Sequence, residues 1–177
     1  KSFTFVSAYS LLLGADQHVK LLIQYITWRN YPSSESEAQQ FSEMYFDLKT
    51  HDALSQIQQY WRKKQIGEKE YIYFDYTCFL TDEFGGEEKF FFHFENLYQL
   101  IQEAYLLFGF HELNSPYLHQ FSDYAFQFDQ KFGPDLRLFI EKFETEGANS
   151  PVIIPENKDA IKIMTAHKSK GLEFPVV

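Results

Sequence analysis

Polar side chains of several chemical types lie within a short stretch near the end of the printed sequence. Thr165 and His167 supply a hydroxyl and an imidazole, which can hydrogen-bond a phosphate or stack on a base. Lys168 and Lys170 add two positive charges to a chain whose formal net charge is -9. This spacing indicates contact with a nucleic acid or a nucleotide. A strand, a turn and a short helix with an incidental charged loop would also fit it.

The residues that follow add a position of close approach and an anchored carboxylate. Gly171 lacks a Cβ atom, so a ligand can come close to its backbone. Leu172 and Phe174 place the Glu173 carboxylate between two apolar side chains. Such a carboxylate is well suited to accept hydrogen bonds from a sugar hydroxyl.

Composition limits the class of protein. The chain has 177 residues, of which 45% are hydrophobic and 19% aromatic, as in a folded domain or one domain with pieces of another. A sequence pI near 5.1 argues against a surface that coats nucleic acid generally, so any DNA contact must be local. Cys78 is the single cysteine, which excludes an intrachain disulfide and suits a reducing compartment; we expect the cytoplasm. No run approaches the roughly 18 apolar residues of a membrane helix.

Short strands are predicted on both sides of a largely helical middle. Alternation and β-branching predict a strand at Phe3 to Ser7, and a second at Ile161 to Met164 leads into the polar stretch. A helix containing Val19 and Ile26 should end before Pro32, where a polar connector follows. Further helical stripes comprise Phe41, Met44, Tyr45 and Leu48; Leu54, Ile57 and Trp61; Leu97, Leu100, Ile101, Ala104, Leu107 and Phe108, ending at Gly109; Phe121, Tyr124, Ala125, Phe128 and Phe132; and Leu136, Phe139 and Phe143, with Pro134 in the first turn.

The aromatic stretch from Tyr71 to Leu80 fits either a buried helix or a strand. Its β-rich composition, with the turn-like "DEFGGEEK" before "FFFHF", favours a small β-hairpin near residues 71–94. The acidic residues of that turn are then a solvated hairpin tip rather than an acid-base pair. The other Phe and Tyr stripes are best interpreted as core.

Other candidate sites carry less chemistry. His93, His111 and His119 have no spacing that would organise a metal site on one helix, so we expect surface or packing roles. Cys78 is flanked by apolar residues, as a small core residue would be. No G-x-x-x-x-G-K-[ST] loop occurs, so the chain by itself should not bind a triphosphate in the usual way or hydrolyse ATP.

The final stretch, "IKIMTAHKSKGLEFPVV", resembles the fifth conserved motif of the UvrD/Rep/RecB/AddA group of superfamily 1 DNA helicases, T-x-H-x-[SA]-K-G-L-E-[FW]. The beginning, "FVSAYSLLLGADQHVKLLIQYITWRNYP", is similar to the segment after the fourth motif in the AddA and RecB branch. The helical middle, ending in "DLRLFIEKFETEG", resembles that branch's accessory insertion. One departure is Ala166, where members of the group usually carry a larger aliphatic residue.

This resemblance implies roles for individual residues. Thr165, His167 and Lys168 would contact single-stranded DNA. Lys170 and Gly171 would join the DNA side to the nucleotide side. Glu173 would meet the ribose of ATP. ATP and Mg²⁺ would be bound by the full-length parent, and neither is expected to bind this chain alone.

The resemblance also implies a domain organisation. Residues 1–32 would be a piece of the second RecA-like α/β motor domain, 33–150 a helical accessory insertion, and 151–177 the return to the motor domain. The fold expected is therefore mainly α, with short strands belonging to the motor domain. We expect a fragment of an ATP-dependent DNA helicase or helicase-nuclease subunit. Its partners would be single-stranded and duplex DNA, the remaining helicase domains and a second helicase-nuclease subunit. The alternative is a free-standing helical interaction module with a motif-like tail.

Overall fold

Two short strands enclose a series of helices along the chain. The structure, a computed structural model, describes residues 4–7, 12–152 and 160–163, the first and last of these by their backbone. Its elements are β1 (Thr4–Ser7), α1 (Gln17–Asn30), α2 (Glu35–Thr50), α3 (Ala53–Gln58), β2 (Trp61–Ile66), β3 (Lys69–Phe74), α4 (Tyr76–Phe84), α5 (Glu87–Phe90), α6 (Leu97–Phe108), α7 (Pro116–Phe132), α8 (Leu136–Thr145) and β4 (Ala160–Ile163). The prediction of a mainly α fold with a small β-hairpin is confirmed.

Side-chain caps begin several of the helices. The Asp16 carboxylate accepts hydrogen bonds from the backbone N–H groups of His18 and Val19 at 2.9 and 3.0 Å, which starts α1. This helix ends at Asn30, before Pro32, as predicted. The predicted stop of α6 at Gly109 is also confirmed. That glycine has a φ of 73°, a left-handed conformation that suits a residue without a side chain.

An aromatic cluster forms the centre of the core. The ring of Trp28 lies 4.9 Å from that of Phe90 and 5.5 Å from that of Phe41, measured between centroids. These rings are fully buried and come from α1, α5 and α2, so the cluster joins the first helices of the body to its middle. A second group, with Phe121 and Phe139, joins α7 to α8 at 5.9 Å. The interpretation of these stripes as core is confirmed, except at the end of α7, where Phe132 is half exposed.

The β-hairpin lies earlier in the chain than predicted. Strands β2 and β3 pair antiparallel from Trp61↔Phe74 to Ile66↔Lys69. A two-residue turn joins them, and its first residue, Gly67, has a φ of 63°, as a type II′ hairpin turn requires. The predicted hairpin near residues 71–94 exists but is shifted towards the start of the chain, because its predicted first strand is the second strand of the real hairpin.

The second half of the predicted hairpin is helical. Asp75 ends the strand and caps α4, since its carboxylate accepts a hydrogen bond from the N–H of Cys78 at 3.1 Å. Gly85, with a φ of 77°, ends that helix. The acidic stretch that resembled a hairpin tip is thus the junction between α4 and α5. The Asp75 cap therefore starts a helix in a stretch whose β-rich composition favours a strand.

Three smaller predictions are wrong for similar local reasons. Trp61 begins β2 instead of continuing the helix before it. Helix α2 begins at Glu35, inside the predicted polar connector, because the Ser34 hydroxyl accepts a hydrogen bond from the third helical N–H. Pro134 precedes Asp135, the residue that caps α8, and so lies outside the first turn.

Among the described residues, no helix is long and apolar enough to cross a membrane.

Candidate nucleic-acid interface

The terminal strands are neighbours in a parallel sheet. Strand β1 pairs with β4 in register, from Thr4↔Ala160 to Ser7↔Ile163. Both strands therefore end at the same edge. Ligands of open α/β sheets bind outside the carboxyl ends of the strands, so this edge is the natural place for a site.

The residues predicted to contact ligands follow β4 directly in the sequence. Thr165 is the second residue after Ile163, the last residue of the strand. All six predicted site residues lie outside the described residues: Thr165, His167, Lys168, Lys170, Gly171 and Glu173. Their roles therefore stay predictions, and the strand pair is the part of the site whose geometry is described.

The segments that lead from the helices towards the two strands are joined to each other. The backbone N–H of Leu13 donates to the carbonyl oxygen of Ser150 at 2.9 Å. Beside it, Leu12 and Pro151 form an isolated antiparallel bridge. The side-chain amide of Gln120 donates to the Pro151 carbonyl at 3.0 Å, which attaches this junction to α7. We call residues 12–15 and 147–152 the neck.

Glycine allows the two halves of the neck to come close together. A Cβ atom on Gly14 would lie 2.6 Å from the Cβ of Ala148, closer than side chains normally approach. A Cβ on Gly147 would lie 2.8 Å from both Phe143 and Tyr124. Leu13 is completely buried. The chain therefore enters and leaves the helical body through one tightly packed junction.

A carboxylate and an imidazole lie beside each other next to the neck. Asp16 and His18 approach to 3.4 Å between Oδ1 and Nδ1. Burial raises the pKa of the Asp16 carboxyl, but hydrogen bonds from His18 and Val19 and the charge of His18 outweigh it and leave that pKa below its usual value. Asp16 is therefore ionised at neutral pH and caps α1 as a carboxylate.

The structure brings together two of the three histidines that could suggest a metal. His111 and His119 both line a cleft of about 470 Å³, with Asp123 at its wall. His93 is not part of that lining. Within the described part of the chain, no group of three potential ligands could hold a metal ion.

Glu83, from one of the acidic pairs, and Cys78 both contact other residues of the folded body. Glu83 accepts hydrogen bonds from Lys49 at 2.6 Å and from the Tyr45 hydroxyl at 3.1 Å, so it is a fixed ion-pair partner and not the solvated turn that we predicted. Cys78 is half buried against the core, with its Sγ atom 3.7 Å from Asp82. Its predicted packing role is consistent with that position.

Sequence reasoning missed a group of basic and aromatic residues on the hairpin. Arg62 and Lys64 on β2 lie across from Tyr73 and Tyr71 on β3, and Lys69 lies across from Ile66. We call these six residues the ribbon face. The run "RKK" followed at a short distance by "GEKEY" was the available signal. Trp61 fits the helical stripe of Leu54 and Ile57. A helical period of this kind hides the two-residue alternation of a strand.

The curated proteins give a partial match. Over about a fifth of its length, the chain is similar to proteins named as ATP-dependent helicase/nuclease subunits. It is 51% identical over 41 residues to such a protein from Syntrophomonas wolfei, a match that covers 22% of this chain and 3% of that protein. The protein of the same name from Oceanobacillus iheyensis is 49% identical over 41 residues, again 22% and 3%. That from Clostridium botulinum is 56% identical over 36 residues, or 20% and 3%.

The match is thus a small part of much longer proteins, since it covers 3% of their length. No protein-family model matches the chain, and no solved structure matches it. These relatives support the helicase family as the origin of the resemblance.

Proposed function

We propose that this chain is part of the motor subunit of an ATP-dependent DNA helicase or helicase-nuclease that acts in DNA recombination and repair. One observation carries the proposal: an entire helical body connects two neighbouring parallel strands. The chain enters and leaves this body through one neck. Adjacent parallel strands of an α/β sheet are normally joined by a short crossover, usually one helix. A helical body in that place is what an insertion into a motor domain would look like.

The helicase-like stretch lies directly after the second of these strands in the sequence. The names of the similar proteins, which include both helicase and nuclease, support a parent enzyme of that kind. Thr165, His167 and Lys168 would contact single-stranded DNA, and Lys170, Gly171 and Glu173 would serve the nucleotide side. ATP with Mg²⁺, when bound by the parent, supplies the free energy of translocation. In this proposal Glu173 orients the ribose, while the imidazole and hydroxyl hold the strand.

The domain division remains part of the proposal. Residues 1–32 and 151–177 would belong to the second RecA-like motor domain, and 33–150 to the accessory insertion. Helix α1 packs on both α2 and α8, so it would share the core of the insertion while continuing from the motor strand. The remaining helicase domains would contact the strand pair, and a second helicase-nuclease subunit is the proposed protein partner. The parent would act in the cytoplasm.

Strand separation by the full-length parent tests this function. The protein encoded by the complete reading frame is incubated with a fluorescent duplex that carries a single-stranded tail, with and without ATP. We expect ATP-dependent strand separation and an ATPase that single-stranded DNA stimulates. The 177-residue chain alone should release no phosphate above the blank. A full-length protein that neither hydrolyses ATP nor separates strands would favour the alternative, a helical interaction module.

A further inference from the structure

The hairpin of β2 and β3 extends away from the core as an exposed ribbon. At its base Phe74 is buried and Trp61 is half buried. The outer pairs, from Lys63↔Ile72 to Ile66↔Lys69, are exposed on both strands. Such a two-stranded ribbon offers its outer surface to a partner without help from the core.

Charge is distributed unequally between the two faces of the ribbon. Residues in register alternate between faces, so the ribbon face carries Arg62, Lys64 and Lys69. The opposite face carries Lys63, which forms an ion pair with Glu70 at 3.0 Å. The ribbon face itself contains no acidic residue.

The basic residues of the ribbon face differ in their ion-pair partners. Arg62 is held at the base of the ribbon, where its Nε lies 3.6 Å from Asp75. Lys64 and Lys69 form no ion pair with any residue that the structure describes. They lie on one face of adjacent strands, where like charges repel. An anionic partner would remove that repulsion.

Aromatic rings stand beside these charges. Tyr71 lies directly across from Lys64 and is 47% exposed, and Ile66, across from Lys69, is 56% exposed. Tyr73 lies across from Arg62 and is half buried. A row of cations for phosphates next to an exposed ring on which a base can stack is the arrangement that binds single-stranded nucleic acid without sequence preference.

We propose that the ribbon face is a docking surface for single-stranded DNA, separate from the Thr165 to Glu173 stretch. Residues 61–74 hold four basic and two acidic residues in a chain of net charge -9, so this ribbon is a local positive region on an acidic protein. Lys64 and Lys69 bind phosphates, and Tyr71 stacks on a base. The choice of DNA as ligand rests on the proposed function, whereas the position of the surface rests on the ribbon alone.

Low salt should make this contact measurable in the 177-residue chain. Two phosphate contacts give a salt slope of about −1.4 for single strands, so lowering the salt from about 150 to about 20 mM should tighten binding roughly seventeenfold. Starting from a weak non-specific Kd of ~10⁻⁴ M, that gives a low micromolar value. The probe is a fluorescein-labelled oligothymidylate of about twenty nucleotides, followed by anisotropy.

A matched pair of double variants assigns the site. Lys64→Gln with Lys69→Gln should weaken binding at least tenfold and reduce the salt slope by about 1.4, the value for two lost contacts. Lys20→Gln with Lys131→Gln removes the same charge from exposed lysines of α1 and α7 and should change the affinity less than twofold. Tyr71→Leu should weaken binding several-fold without changing the salt slope, because it removes a ring and no charge.

Three results would overturn the proposal. Equal losses in the two double variants would mean that only net charge matters. An unchanged affinity in Tyr71→Leu would remove the stacking contact. Stronger ribbon-dependent binding of a poly-glutamate peptide than of the oligonucleotide would point to an acidic protein as the partner. All variants must retain the unfolding midpoint of the wild type, as is expected for exposed side chains.

The test of the ribbon face can fail independently of the test of the proposed function. If the parent unwinds DNA and Lys64→Gln with Lys69→Gln binds oligonucleotide like the wild type, the ribbon proposal fails alone. If the ribbon binds DNA and the parent has no ATPase, the helicase proposal fails alone.

Discussion

The backbone N–H of Leu13 donates a hydrogen bond of 2.9 Å to the carbonyl oxygen of Ser150. This contact joins the segment that follows β1 to the segment that precedes β4. It closes the helical body at the residues where the described part of that body begins and ends. The parallel register of β1 with β4 and the hydrogen bond at the neck therefore describe one feature, a body inserted between neighbouring strands.

Gly14 should be essential for packing in the neck. In Gly14→Ala, the new methyl group would lie 2.6 Å from the Cβ of Ala148, so the two segments of the neck must separate. We expect the free energy of unfolding to fall by about 1–3 kcal/mol, measured by urea denaturation. Ala15→Ser, at the exposed neighbouring position, is the control and should change it by less than about 0.5 kcal/mol. Adding Ala148→Gly should recover part of the loss; no loss in Gly14→Ala would show that the neck is loose.

Arg29 should stabilise the turn after α5. Its Nη1 atom donates to the Phe90 carbonyl at 2.9 Å, and Nη2 donates to the carbonyl of Phe92, while the guanidinium lies 4.8 Å from the Phe92 ring centroid. A lysine cannot make this forked contact, so Arg29→Lys should cost about 2 kcal/mol or more in urea denaturation. Arg137→Lys, on the exposed surface of α8, should stay within about 0.5 kcal/mol of the wild type. Equal effects of the two changes would contradict this role.

Tyr25 should make stability depend on pH in the alkaline range. Burial raises the pKa of its phenol to about 12, although Arg29 acts in the opposite direction. Below the ordinary value of about 10 the phenol is protonated in both states, so its contribution is complete. Between about 10 and 12 the unfolded chain loses the proton more easily, and stability falls as pH rises.

The variant Tyr25→Phe isolates this effect. It loses the hydrogen bond of 2.8 Å that the hydroxyl donates to the Phe90 carbonyl, so it should be about 1 kcal/mol less stable at pH 8. Above pH 10 its unfolding free energy should fall less steeply than that of the wild type, by up to about 1.4 kcal/mol per pH unit. Urea denaturation at several pH values measures both quantities. Parallel curves for the two proteins above pH 10 would contradict a buried, protonated phenol.

Much of the fold could be predicted from helical periodicity. Stripes such as that of α6 have a single apolar face and a glycine stop, so local and tertiary signals agree. The failures lie where a single polar side chain decides the boundary. Asp75 turns an aromatic run from strand to helix, and Ser34 starts α2 inside a stretch rich in turn residues. A capping hydrogen bond depends on local geometry that composition does not record.

The candidate sites show the same limit. The polar stretch after β4 was recognisable because its residues are contiguous. Strand β1 was also predicted, but its pairing with β4 was not, because that pairing joins residues far apart in the sequence. The ribbon face was missed because its cations become neighbours only when β2 and β3 pair across a two-residue turn, which places Lys64 diagonal to Lys69 on one face. Register, more than residue type, makes that surface.

In the proposed function, the stretch after β4 contacts both a nucleotide and a DNA strand in one motor. The decisive measurement is a paired titration of the full-length protein with a fluorescent ATP analogue and with a labelled single strand, for Glu173→Gln and His167→Ala. Both variants must first show the unfolding midpoint of the wild type, since Leu172 and Phe174 flank the carboxylate.

We predict that the two variants separate the two functions. Glu173→Gln removes a charge-assisted hydrogen bond worth ~1.5 to 3 kcal/mol, so ATP affinity should fall roughly ten- to hundredfold while strand binding hardly changes. His167→Ala should cost ~1 to 3 kcal/mol of strand binding and leave ATP affinity without DNA near the wild-type value. Equal losses of ATP and strand binding in both folded variants would contradict the account and leave this stretch a structural turn.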